Sequence, residues 1–588
     1  MFNQLHTRWG TSLDENVVLP EYPRPHMVRE NYRNLNGYWE YAISKSSEIP
    51  REFDGRILVP FSPESTLSGV NRIVQPDEYL HYRLQFHLTE KEAGQRLLLH
   101  FGAVDQMCSV FINYVYVGSH SGGYLPFSFD ISKFVSDGSN DINVVVNDYS
   151  DTSYHARGKQ KLNRGGMFYQ AQSGMWKSVW TEWVPQNYIS DIKLLPSYDE
   201  GKVEITVMDN RSENIPVHIE IMKDGMHIGS AGFLSNQRTG IDIPDYISWT
   251  PESPHLYDVI ITMGEDRITS YFAMRKYSVG RDSRGLPRFM LNNKPYFHNG
   301  LLDQGYWPDG LMTAPEDAAL IYDIQTMKDL GYNMIRKHIK IEPERWYYHC
   351  DKLGMLVWQD MINGGREYHM NFVCALPNKI MWTGHFIKDH MYRAFARQDK
   401  QGREDYYIEL KGMIDCLYNF PSIAAWVPFN EGWGQFDAGE ASRRVRKWDP
   451  SRLIDEASGW FDQFGGDMFS IHNYWRPLKI KPKRRVVALT EYGGYSCRMA
   501  GHSFCEEIYG YRDYKNSKDL TAGYKGLIER DILPNIKNGL SAVIYTQVSD
   551  VEEEVNGILT YDRECLKLDV DTVKELNRRI YQEFDACI

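Results

Sequence analysis

From about residue 20 to 185, apolar and polar positions alternate in short runs broken by turn residues, as in "QRLLLHFGAV", "SVFINYVYVG" and "NDINVVVND". A period of two puts one face of each run in a core and the other toward solvent, which predicts antiparallel strands packed as a sandwich. The style continues from 186 to 285. Val203, Ile205 and Val207 alternate in "KVEITVMDN", and Asp224-Gly225 separates two apolar runs, where a tight hairpin needs two positive φ values. This second segment has the length and strand count of an immunoglobulin-like sandwich.

Near residue 290 the period changes. "TAPEDAALIYDIQTMKDLG" places Thr313 and Glu316 at capping-box spacing, carries Leu320, Ile324 and Met327 on one face, and stops at Gly331. "NMIRKH" follows as a strand; "EPERWYYHCDKLG" and "MLVWQDM" repeat the scheme. Further apolar runs are "AAWVPFNE", "LIDEASG", "MFSIHNY", "VVALTEYGG" and "SAVIYTQVSD", and "YFHNGLLDQG" precedes them all, giving eight strand candidates. Eight parallel strands with intervening helices make a (β/α)8 TIM barrel, whose buried strands read as continuous apolar runs. A last helix, "DTVKELNRRIYQEF", presents Val573, Leu576, Ile580 and Phe584 as one stripe for the barrel's outside. Residues 363–402 fit neither pattern and read as an insertion after the third strand. The expected domains are therefore 1–185, 186–285 and 286–588.

Composition narrows the function classes. Hydrophobic residues at 42% and charged residues at 24% describe a soluble globular chain. The net charge of −12 comes with interspersed signs and no basic stripe, so nucleic acid is excluded as a partner. Eight cysteines without a CxxC pair read as reduced thiols or packing residues, and no structural zinc site is implied. Neither a leader-like N-terminus nor a long apolar span is present, so the chain reads as cytoplasmic with no membrane partner, although a cleaved leader would leave no trace. Aromatic residues at 13% serve either β-rich cores or stacking against sugar rings.

Strand C-termini face the active end of a barrel. Asp360, Glu431 and Glu491 end the third, fourth and seventh candidates, and strands four and seven face each other across the mouth. Paired carboxylates across a cleft are the apparatus of glycoside hydrolysis, one as acid and one as nucleophile or base. A single strand-end glutamate could equally cap a helix or pair with an arginine; two on facing strands with glycine-rich turns behind them favour chemistry.

On these residues the chain resembles glycoside hydrolase family 2, which holds β-galactosidases, β-glucuronidases and β-mannosidases. "WVPFNEGWG" is similar to its acid/base segment and "LTEYGGY" to its nucleophile segment. "SGMWKSVWTEWV" resembles the end of its sugar-binding jelly roll, and "WTPESPHLYDVIITM" the end of its middle sandwich. The resemblance implies a β jelly roll, an immunoglobulin-like sandwich and a catalytic TIM barrel. It implies Glu431 as acid/base, Glu491 as nucleophile, Asn430 on the sugar's 2-hydroxyl, Arg336 beneath the nucleophile, and His472 and Tyr474 beside it. Asp360, His338, Trp433, Gln547, Asp303 and Trp307 are further substrate-binding candidates, and loop 151–170 is expected to reach the barrel mouth. The expectation is a retaining exo-β-glycosidase acting on a carbohydrate substrate, β-galactosidase-like, with no cofactor or metal, and as a homo-oligomer if any.

Departures bear on the sugar. Arg336-Lys337-His338 replaces the family's Arg-x-x-x-His, which leaves the placement of His338 open. "EEVNGIL" lacks the Asn-x-Lys with which glucuronidases hold a carboxylate, and this argues against glucuronides. A carbohydrate-binding protein without catalysis and an inverting hydrolase are the competing readings.

Overall fold

The computed structural model describes residues 4–379 and 387–588; part of the 363–402 insertion lies outside them. A six-stranded and a four-stranded antiparallel sheet form the N-terminal jelly roll. Its core is built from the alternating positions read above, with Leu97, Leu99, Val110, Ile112, Ile142, Val144 and Val146 inside. A three-stranded and a four-stranded sheet then make the immunoglobulin-like sandwich, closed over Val203, Ile205, Val207, Ile219 and Ile261. The hairpin turn falls where the sequence puts it: Asp224 and Gly225 have φ of 50° and 77°.

The barrel strands are β1 (His298–Asp303), β2 (Met334–Lys337), β3 (Leu356–Asp360), β4 (Ile423–Val427), β5 (Leu453–Ile454), β6 (Met468–Asn473), β7 (Val486–Gly493) and β8 (Leu540–Thr546). Each overlaps a run picked out by sequence. They pair in the order β5-β4-β3-β2-β1-β8-β7-β6, every ladder parallel, with no ladder between β5 and β6 among the described residues. All-parallel strands covered on both faces bury every side chain, hence their uniformly apolar reading. On the outside, helix Val570–Asp585 buries Val573, Leu576, Ile580 and Phe584.

A hairpin (Tyr277–Arg281 and Pro287–Leu291) straddles residue 285 and plugs the end of the barrel opposite the catalytic face. Tyr277, Phe289 and Leu291 pack on Met334, Leu356, Leu453, Met468 and Val486, the residues that begin β2, β3, β5, β6 and β7. Arg288 is fully buried there, donating to Asp282 at 2.9 Å and to the carbonyls of Leu540 and Ile536 at 2.7 and 2.9 Å.

One local expectation fails. Helix Asp317–Asp329 is capped by Glu316 with no side-chain bond, and Thr313 is no part of a capping box. The Thr313 hydroxyl instead donates to the carbonyls of Trp176 and Pro60 at 2.7 and 3.3 Å, fixing jelly roll to barrel. Buried carbonyls at an interface need a donor, and that requirement outcompetes a local cap. The middle sandwich is tied to the barrel by the Tyr271 hydroxyl, which donates to Asp351 at 2.7 Å.

Replacing Arg288 by Met strands the Asp282 carboxylate and two carbonyls in an apolar plug. We expect a loss of about 3–5 kcal/mol, the cost of breaking a buried pair from one side, read as a lower urea midpoint for barrel unfolding. An unchanged midpoint would show that the plug does not depend on Arg288.

Candidate active site

Beyond β4 the chain makes a short parallel extension, Phe429–Asn430, against Ala457–Ser458. Glu431 follows in the left-handed region, φ 52°, its amide donating to the Ser458 carbonyl at 3.0 Å. Such a conformation costs a non-glycine residue about 1–3 kcal/mol and persists only where its surroundings enforce it. Gly432 and Gly434 do so. Both have positive φ, and a Cβ on either would strike Phe461 at 2.6 Å or the Gly364 carbonyl at 2.1 Å. Across the mouth His472 is the ladder partner of Glu491, and register shifts at Ile471/His472 and between Leu489 and Tyr492 re-aim both side chains.

The two carboxylates and the imidazole converge. His472 Nδ1 lies 2.7 Å from Glu431 Oε1 and 3.4 Å from Glu491 Oε2, and the three ligand atoms are within 4.8 Å of one another. The other ring nitrogen is 3.1 Å from the Ser458 hydroxyl. Burial lowers the His472 pKa to about 4, so the ring is neutral near pH 7. These three are also the donor set that could hold a metal ion among the described residues, provided Glu431 is ionised.

The glutamates differ in their donors. Glu491 accepts from Arg336 Nη1 at 3.2 Å and from the Tyr474 hydroxyl at 2.5 Å, whereas the side chain of Glu431 has only the imidazole among the described residues. Burial raises both pKa values. For Glu431 it does so to about 7, against the pull of Lys159 and Arg336. Hydrogen bonds to the charged form favour ionisation, so Glu491 ionises first and Glu431 keeps the proton.

Arg336 organises the floor. Its Nε and Nη2 clasp Asp360 at 2.9 Å each, Nη2 also reaches Asn430 Oδ1 at 2.8 Å, and Nη1 donates to the Thr490 carbonyl at 3.1 Å besides Glu491. Burial works against ionisation of Asp360, but Arg336 and His338 outweigh it and hold the carboxyl below its usual range. His338 Nδ1 is 2.7 Å from Asp360 Oδ2, and burial lowers its pKa to about 3. The Asn430 amide nitrogen is buried with no partner, a donor free for a ligand. Tyr474 stacks on Tyr511 with centroids 3.7 Å apart.

The remaining candidates lie at different distances from this centre. Trp433 stacks between Phe168 and Tyr368 at 5.6 and 6.0 Å. Gln547 donates to Asn556 at 2.7 Å and leaves its own oxygen without a partner. Asp303 is held by Lys337 at 2.5 Å inside a buried cluster with Glu342 and Lys340. Trp307 is buried, with Arg563 4.1 Å above its ring and Trp9 edge-on at 6.1 Å. Neither Asp303 nor Trp307 has a hydrogen bond or ion pair with Glu431 or Glu491 among the described residues.

Loop 151–170 does reach the barrel mouth. The amides of Arg157 and Gly158 donate to the Asn363 carbonyl at 3.0 and 3.1 Å, and Gln170 and Gly166 donate to Glu552 and Glu553 after β8. The Tyr169 hydroxyl donates to Glu554. Lys159 extends over the Trp433 ring at 5.7 Å and its charge acts on Glu431. Neither Lys159 nor Tyr511 is singled out by sequence, since no spacing links them to the strand ends. The glycine and arginine content of the loop is the only signal.

The chain matches two family models: "Glycosyl hydrolases family 2, sugar binding domain" over residues 70–181 and "Glycosyl hydrolases family 2, TIM barrel domain" over 287–476, together more than half of it. Among curated relatives, a β-galactosidase of Thermoanaerobacter pseudethanolicus is 25% identical over 489 residues, 79% of this chain and 61% of that protein. A β-glucuronidase of Felis catus is 24% identical over 392 residues, 57% of this chain and 58% of that one. The chain spans 61%, 35% and 40% of the length of three curated relatives that it matches. A solved β-glucuronidase structure from an uncultured Clostridium shares the fold with a TM-score of 0.73 at 19% identity, covering 94% of this chain and 99% of that one. Two models of one family, the first over the jelly roll and the second over the barrel, place this chain in glycoside hydrolase family 2.

Proposed function

We propose that the protein is a retaining exo-β-glycosidase that removes terminal β-linked sugars by double displacement. The observation that carries this reading is the carboxylate pair, with oxygens of Glu431 and Glu491 within 4.8 Å of each other and unequal donors around them. Retaining pairs stand roughly 5–5.5 Å apart; inverting pairs need about 6.5–9.5 Å to admit a water. Glu491, ionised by Arg336 and Tyr474, attacks the anomeric carbon while Glu431 protonates the departing oxygen. In the second step Glu431, now a base, takes a proton from water, which displaces the sugar from Glu491. Asn430, its oxygen tied to Arg336, turns its amide nitrogen to the sugar, where a hydrogen bond that tightens in the transition state lowers the barrier. Relatives named β-galactosidase make galacto-configured sugars the first substrates to try.

Glu491→Gln is expected to lower kcat on an aryl β-galactoside about 10⁴-fold or more, as loss of a covalent nucleophile does. Proton NMR of the first-formed sugar should show the β anomer. Undiminished hydrolysis by the variant, or an α product, would overturn the mechanism.

The pH dependence follows from the same pair. Glu431 must hold its proton, and its pKa near 7 sets the alkaline limb, so kcat/KM should fall as pH rises past about 7. Glu491 must be ionised, so activity should also fall in acid. Glu431→Gln should remove the alkaline limb and cost about 10²–10⁴-fold with a poor leaving group. An alkaline limb that survives in that variant belongs to another residue.

A further inference from the structure

Lys159 is contributed by the jelly roll, yet it stands beside the barrel's carboxylates. It is 7% exposed and makes no ion pair or side-chain hydrogen bond among the described residues. Its ammonium lies over two aromatic faces, Tyr169 at 5.5 Å and Trp433 at 5.7 Å. Its segment is held in place by the neighbouring residues. The Arg157 and Gly158 amides are bonded to Asn363, the Lys159 carbonyl accepts from Tyr169, and the Gln160 side chain donates to Asp105 at 2.9 Å.

Nearby carboxylates are already engaged. Glu552 pairs with Arg164 at 3.0 Å, Glu553 takes the Gly166 amide at 2.6 Å, and Glu554 takes the Tyr169 hydroxyl. Glu431 faces Lys159 but is the protonated partner in the state ready to react, and His338, which also feels the Lys159 charge, is neutral. An ammonium held over two aromatic rings, with no acceptor from the described residues, keeps its three N–H donors for a ligand that enters the mouth. A hydroxyl would satisfy one donor; a carboxylate would satisfy the charge as well.

We propose that Lys159 is a specificity-determining residue that binds a carboxylate on the substrate, carried either on C6 of the terminal sugar or on the leaving group. This rests on the glycosidase reading above and adds the acidic character of the substrate to it.

The test uses the full chain and three fluorogenic substrates: 4-methylumbelliferyl β-galactoside, 4-methylumbelliferyl β-galacturonide and 3-carboxyumbelliferyl β-galactoside. The expected result is a kcat/KM for one of the two acidic substrates above that for the neutral one. Lys159→Met should lower that ratio about 10- to 100-fold, the worth of a charge-assisted hydrogen bond, and Lys159→Arg should restore most of it. The galacturonide arm assigns the carboxylate to the sugar and the carboxyumbelliferyl arm to the leaving group. A Lys159 that only tunes Glu431 would change all three substrates alike and leave the ratio untouched, overturning the proposal. Calorimetry with galacturonate and with galactose separates the two readings when turnover fails. Lys159-dependent binding of galacturonate with no glycoside cleaved would overturn the proposed activity and support the anion site. Cleavage of the neutral galactoside with no Lys159-dependent preference would do the reverse, and neither cleavage nor binding would remove both.

Discussion

Arg336 is the constraint on which the mouth of the barrel depends. A guanidinium carries five N–H donors in a fixed plane, and all five are used here, on Asp360 twice and on Asn430, Thr490 and Glu491 once each. The group is fully buried, so its charge is tolerable only because two carboxylates meet it. One planar ion thereby fixes the relative positions of the ends of β2, β3, β4 and β7 before any ligand arrives. Lysine could carry the charge but not the plane.

The unequal surroundings of the two glutamates follow from that geometry. The arginine faces β7 and leaves β4 to the neutral imidazole, so one carboxylate is supplied with donors and the other is left in a desolvated position. Such a split in environment is how one site holds an acid and a base at the same pH. The jelly roll adjusts the balance from outside the barrel. Lys159 pulls the Glu431 pKa down while Glu554, itself bonded to Tyr169 of the same loop, pushes it up. The site is thus an interdomain structure, and the buried Thr313 to Trp176 bond helps to keep its halves in register.

The strands were legible because fully buried parallel strands leave no polar face to confuse the pattern, and Glu431 and Glu491 stood out because a charge ends an apolar run. Asp360 ends such a run too, whereas Arg336 and His338 were named through the family resemblance. Trp307 and Asp303 look the same in sequence, yet one packs under Arg563 and the other under Lys337. Whether a loop side chain turns in or out depends on partners far along the chain. Thr313 shows the same effect on a local motif, where its spacing described a cap and its partner lay 137 residues away. Lys159 and Tyr511 reach the site only through tertiary packing, and no period in their own segments marks them.

The backbone at Glu431 shows what that packing achieves. Glycine would adopt its φ of 52° without strain, but a glycine has no carboxyl, so the position must combine an acidic side chain with a conformation that L-residues avoid. The strain is held by the bond to Ser458 on one side and by two glycines wedged against Phe461 and Gly364 on the other. Gly364 belongs to the same barrel loop whose Asn363 carbonyl receives the jelly-roll amides. The jelly roll therefore buttresses the loop that confines Glu431 as well as contributing the charge beside it, so one domain both steadies the direction of the carboxyl and draws down the proton affinity that burial raises.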